Sequence, residues 1–84
     1  MKQIYFTKHS KNKTALLSNY GFILSQEYIS SVVREPDKVL LKGNQKIFLK
    51  IYDTEHLIQV VCEETEDYIK IITVFPSRRR RYGI

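Results

Sequence analysis

Four arginines, Arg78, Arg79, Arg80 and Arg81, stand in succession and are followed by Tyr82. A guanidinium group is planar, stays charged at any cellular pH and grips phosphate or carboxylate through two parallel hydrogen bonds. The run therefore predicts a site for phosphates or an acidic partner segment; the plainer alternative is a disordered basic tail. A second constellation is Lys46, Phe48, Lys50 and Tyr52. Spacing by two places all four on one face of a strand, opposite Ile47, Leu49 and Ile51. If that face meets solvent, its cations can bind phosphates while its rings stack on bases, as in single-stranded RNA recognition. Gln59 and Lys70 would extend it onto neighbouring strands. The plainer alternative is a solvated face whose lysine stems cover apolar surface.

Proton transfer needs a different residue type. His9, with Lys11 and Lys13 nearby, is the leading choice, because histidine changes charge close to neutral pH. Strand alternation would project it beside Tyr5 and Thr7, away from Ile4 and Phe6. A lone histidine more often has a structural role, and Tyr82 among the arginines is the second choice. His56 lies in an acidic turn and reads as simply exposed. Catalytic roles are thus expected at His9, Tyr82, Arg78 and Arg81. Nucleic-acid contacts are expected at Lys13, Lys46, Phe48, Lys50, Tyr52, Lys70, Arg79 and Arg80. One cysteine, Cys62, and two histidines offer no zinc-ligand spacing. No nucleophile motif, paired-carboxylate spacing or glycine-rich phosphate loop is present, so neither metal nor cofactor is expected.

The charge balance points the same way. Net charge is +5, but residues 53–67 hold six carboxylates and no Lys or Arg, so the rest of the chain carries +11. A basic body with one acidic patch draws polyanions to part of its surface. Eighty-four residues at 43% hydrophobic content suit one domain with one core. No apolar run approaches the roughly 20 residues that span a bilayer. The opening Met1 to Phe6 is too short for a secretory leader, and a lone cysteine excludes an internal disulfide. The expectation is a cytoplasmic protein with no membrane association.

These side chains must be held by a small set of elements. Alternation predicts a strand over residues 2–8, then a helix capped by Ser10 and closed by Gly21. Ser25 caps a second helix, with Leu24 and Ile29 as a hydrophobic staple, Tyr28, Ile29, Val32 and Val33 as its apolar stripe and Pro36 as its stop. Strands follow around Val39–Leu41, Ile47–Ile51, Leu57–Cys62 and Tyr68–Phe75, the last ended by Pro76. Short turns between them favour an antiparallel meander. The predicted fold class is α+β, with two helices on one face of a mostly antiparallel sheet in the order β-α-α-β-β-β-β. The last two strands, apolar on both faces, belong at its centre. Residues 1–76 form the domain and 77–84 a basic C-terminal tail.

The segments His9-Ser10-Lys11-Asn12-Lys13, Asn19-Tyr20-Gly21-Phe22, Glu35-Pro36-Asp37 and Ile72-Thr73-Val74-Phe75-Pro76-Ser77-Arg78 resemble, in order and spacing, a small prokaryotic domain family grouped with the RelE/ParE/BrnT-type toxins. Members tend to carry an arginine where this chain has Lys13 and another where it has Tyr20. The resemblance covers nearly the whole chain and implies a RelE-like fold. It further implies the toxin of a type II toxin–antitoxin pair, held by an acidic antitoxin. The RelE branch cleaves mRNA without a metal, by attack of a ribose 2′-hydroxyl on the neighbouring phosphate. The ParE branch inhibits gyrase. On the first pattern, His9 or Tyr82 would move protons while the arginines stabilise the phosphorane. A non-catalytic module that binds RNA or protein through the same basic surface is the rival reading.

Overall fold

A computed structural model describes residues 2–84. Its elements are β1 (Gln3–Phe6), α1 (Lys8–Ser18), α2 (Gln26–Arg34), β2 (Lys38–Lys42), β3 (Gln45–Ile51), β4 (His56–Glu64), β5 (Tyr68–Arg78) and a 3₁₀ turn over Arg79–Arg81. The order is the expected β-α-α-β-β-β-β, and the class is α+β.

Capping explains both helices. Thr7, rather than Ser10, starts α1: its Oγ1 accepts the Ser10 N–H at 3.1 Å. Ser10 is fully buried and donates its hydroxyl to the Thr7 carbonyl at 2.8 Å. Thr7 wins because its hydroxyl also donates to the Ile71 carbonyl, which ties the helix start to β5. The helix closes as the Phe22 N–H reaches the Leu17 carbonyl and the Gly21 N–H reaches Ser18. Gly21 there has φ +89°, the left-handed geometry that favours glycine. In α2, the Ser25 hydroxyl accepts the Tyr28 N–H at 3.0 Å. Ile29, Val32 and Val33 are buried, and the helix stops at Glu35, just before Pro36.

The five strands form one sheet in the order β1-β5-β4-β3-β2. β2 to β5 make the antiparallel meander, and β1 alone runs parallel, to β5. β4 and β5 are interior strands, as their two-sided apolar character requires. Leu17, Leu24, Ile29, Val32 and Val33 share one core with Phe48, Ile58, Val60, Cys62, Ile71 and Val74, so both helices cover the same face.

Three further expectations change. β5 does not end before Pro76 but runs on to Arg78. The Arg79 N–H donates to Glu55 on the β4 side, so strand alternation turns the Pro76 nitrogen to the opposite edge. β1 pairs with β5 only as far as Ile71, so no ladder bond is lost there. Secondly, the acidic segment does not make one patch. Asp53 and Glu55 lie in the β3–β4 turn and Glu63 to Asp67 at the β4–β5 turn, separated by β4, which spans about 27 Å at an extended rise. Thirdly, the C-terminal residues do not trail away from the sheet. The Gln59 amide donates to the Tyr82 hydroxyl at 2.7 Å, and Lys38 Nζ donates to the Tyr82 carbonyl at 2.9 Å. Lys38, Leu49 and Gln59 are register partners across β2, β3 and β4. Tyr82 therefore lies across Leu49, on the face away from the helices.

Candidate functional site

Alternation along β3 is as expected, but its faces are exchanged. Phe48 pairs with Val60, Lys46 with Cys62 and Lys50 with Ile58, so these side chains share the helix face. Phe48 is buried in the core. Tyr52 packs against Phe22 and Tyr28, with ring centroids 5.4 and 6.0 Å away, and its hydroxyl accepts the Ile23 N–H. Lys50 Nζ donates to the Glu35 carbonyl at 2.8 Å, where a cation suits the C-terminal end of α2. Lys46 binds Glu64 at 2.8 Å, and Lys2 binds the other oxygen of the same carboxylate. These two bonds hold the Glu64 carboxyl below the ordinary glutamate value. Lys46, Phe48, Lys50 and Tyr52 are thus engaged within the fold. Gln59, in register with Leu49, lies on the opposite face, 3% exposed.

The arginine run divides by role. Arg79 Nε donates to the Ile84 carbonyl at 2.9 Å and its guanidinium reaches the Thr54 carbonyl at 3.2 Å. It fastens the 3₁₀ turn to the β3–β4 turn. Arg78 is exposed, and its one side-chain partner among the described residues is Glu55, in an open contact at 3.5 Å. Such surface pairs contribute about 0–1 kcal/mol and are easily exchanged for another anion. Arg80 and Arg81 are exposed. Thr54, Glu55, Arg78, Arg79 and Arg80 line a cavity of about 200 Å³ at this end of the sheet.

The expected acid and base do not converge. His9 is exposed in the first turn of α1, not on a continuing strand, and Lys13 lies on the same helix. α1 belongs to the helix layer, whereas Tyr82 lies on the other face, so the sheet stands between them. The Tyr82 hydroxyl is held by Gln59. Lys70 is exposed on β5, away from the arginines.

One group missed in the sequence lies opposite an arginine of the run. His56 is the register partner of Arg78, and directly opposed residues project from the same face. Its Nδ1 lies 3.0 Å from an Asp53 carboxylate oxygen and its ring meets Phe22 edge-on. Asp53 also accepts the Glu55 and His56 N–H groups, and these bonds, the Glu55 one foremost, hold its carboxyl below the ordinary range. Nδ1–H donation to Asp53 would leave Nε2 as the proton acceptor. The signal was present as Asp-x-x-His in a turn, but that spacing is equally an ordinary side-chain-capped turn.

Among the described residues, no three His, Cys, Asp or Glu side chains converge as a metal site. No helix of the described residues is long and apolar enough to cross a membrane. Comparison with protein-family models, curated proteins and solved structures returned no match to this chain.

Proposed function

We propose that this chain is the toxin of a toxin–antitoxin pair, directed at RNA and cleaving it without a metal. The observation that carries the RNA-directed part is the exposure of Arg78, Arg80 and Arg81, of which Arg78 and Arg80 line one cavity and Arg78 stands opposite the histidine held by Asp53. The toxin assignment rests on the sequence resemblance. In this reading the guanidinium groups bind the scissile phosphate and neutralise charge as the phosphorane forms. His56 takes the proton from the 2′-hydroxyl through Nε2 as O2′ bonds to phosphorus, with Asp53 fixing its tautomer and stabilising the imidazolium. The P–O5′ bond then breaks, leaving a 2′,3′-cyclic phosphate, and the departing 5′-oxygen takes a proton from water. An acidic antitoxin segment would occupy the same arginines by displacing Glu55, which suits a body carrying +11 outside residues 53–67.

A second reading has its own support. Arg79 and Tyr82 serve the fold and His9 stands apart, so the same surface also suits a module that binds RNA or protein without cutting it. Single-turnover cleavage of an unstructured RNA, with and without ribosomes and with chelator present, separates the two. The toxin reading expects chelator-resistant cleavage, lowered about a hundredfold by His56→Ala, within the usual range for general acid–base catalysis. RNA that is bound and left intact under both conditions establishes the second reading.

A further inference from the structure

We propose that Tyr5, Tyr68 and Lys70 form a base-stacking subsite for single-stranded RNA on the helix-free face of the sheet, an inference that rests on the RNA-directed reading above. The site exists because of a bulge. Val61 pairs with Thr73 but Cys62 pairs with Ile71, which leaves Ile72 as the extra residue on β5. Alternation carried back from buried Val74 would turn Lys70 inward and Ile69 and Ile71 outward. The extra residue reverses that phase, as a one-residue slip must. Ile71 joins the core with Ile69 packed against it, and Tyr68 and Lys70 emerge on the open face. β1 pairs in phase, Gln3 with Tyr68 and Tyr5 with Lys70, while Ile4 and Phe6 pack against the core.

The two tyrosine rings meet edge to face, centroids 5.1 Å apart at 90°. Tyr5 is 49% exposed, Tyr68 half-buried and Lys70 exposed. With Phe6 and Thr7 they line a cavity of about 380 Å³, inside the range of roughly 300–1,000 Å³ that small ligand groups occupy. The C-terminal segment covers this face at Leu49 and Gln59, leaving the β1–β5 end free. Glu63, on the adjoining β4, faces Lys70 but makes no ion pair with it among the described residues. A ring face beside an unpaired ammonium matches a base and its adjoining phosphate, the pairing used when sheets bind single strands. The purely structural alternative is an aromatic pair that steadies the β1–β5 ladder.

The test uses a fluorescein-labelled eight-nucleotide RNA, AMP as a mononucleotide control, and variants whose folding is confirmed by thermal melts. Tyr5→Leu keeps apolar volume and removes the flat ring. It should weaken octamer binding about tenfold with the salt slope unchanged, because stacking is not ionic. Lys70→Gln should lower that slope by about 0.7, the value for one phosphate contact on a single strand. An octamer carrying 4-thiouridine should crosslink to β1 or β5. Octamer binding that responds to Arg80→Gln, but not to Tyr5→Leu or Lys70→Gln, overturns this subsite and leaves the RNA-directed reading standing. AMP binding as tightly as the octamer would make it a mononucleotide pocket and overturn the strand assignment. No octamer binding by the unaltered protein, at low salt, removes both proposals.

Discussion

Gln59 donates its side-chain amide to the Tyr82 hydroxyl at 2.7 Å, and by that bond the arginine-rich end is folded against the sheet. The same amide group donates to the Ser77 hydroxyl at 2.6 Å, so both of its hydrogens are placed. A tyrosine in a run of arginines looks like an acid–base residue, yet here it covers Leu49.

Tyr82→Phe should accordingly cost stability. It leaves one N–H of a buried amide without its acceptor, worth about 1–3 kcal/mol. Each kcal/mol lowers Tm by roughly 4–8 °C in a domain of this size. Urea unfolding should show the loss, and RNA cleavage by the folded fraction should be unchanged. Wild-type stability combined with lost cleavage would restore Tyr82 to the chemistry.

The arginines should separate by experiment as they do in space. Arg79→Gln breaks bonds to the Ile84 and Thr54 carbonyls and should lower the unfolding free energy by about 1–2 kcal/mol. Arg80→Gln with Arg81→Gln should leave the melt unaltered and lower the salt slope of RNA binding, about 0.7 per lost phosphate contact. Equal effects of all three on the melt would contradict the division.

Acid should loosen the β4–β5 end. Lys2 and Lys46 depress the Glu64 carboxyl, so its contribution is fully present above the ordinary glutamate value of about 4.3. It is lost as pH falls from there through the lower folded value, where the folded state must take up a proton it resists. Unfolding followed between pH 6 and 2 should fall less steeply in Glu64→Gln than in the unaltered protein. Parallel curves would show that the two lysines do not act through this carboxylate.

Cys62 should be silent until the core opens. It lies fully buried on β4, where burial, foremost, and the Glu64 charge push its thiol up to about 12. Little thiolate forms at pH 8, and reagent cannot reach it. Modification by a disulfide reagent should therefore follow unfolding, speeding with urea as the core opens. Immediate reaction in native buffer would place Cys62 outside the core.

The candidate site was legible in part. The arginines were visible as a run, but Arg79 is spent on the carbonyls of Ile84 and of Thr54, the latter 25 residues away in sequence, which leaves Arg78, Arg80 and Arg81 exposed. His56 was passed over because its partners, Arg78 and Phe22, are distant along the chain. The Tyr5–Tyr68 pair was invisible for the same reason: β1 meets β5 in parallel, each residue facing a partner 65 positions on.

The amino-acid sequence alone determined what local physics controls. The Ser25 hydroxyl caps α2 within three residues, Pro36 stops that helix, and the Gly43-Asn44 turn joins β2 to β3, where Lys42 pairs with Gln45. The order of elements and the α+β class follow from such signals. Which face of β3 meets the helices was decided by the tertiary structure. Both faces of that strand carry apolar residues, and the C-terminal segment buries Leu49 as thoroughly as α2 and its neighbours bury Phe48. Alternation names two faces but does not say which one a distant segment will cover. One extra residue at Ile72 then reverses the phase of β5, and pairing with β4, not the local pattern, fixes where that residue falls.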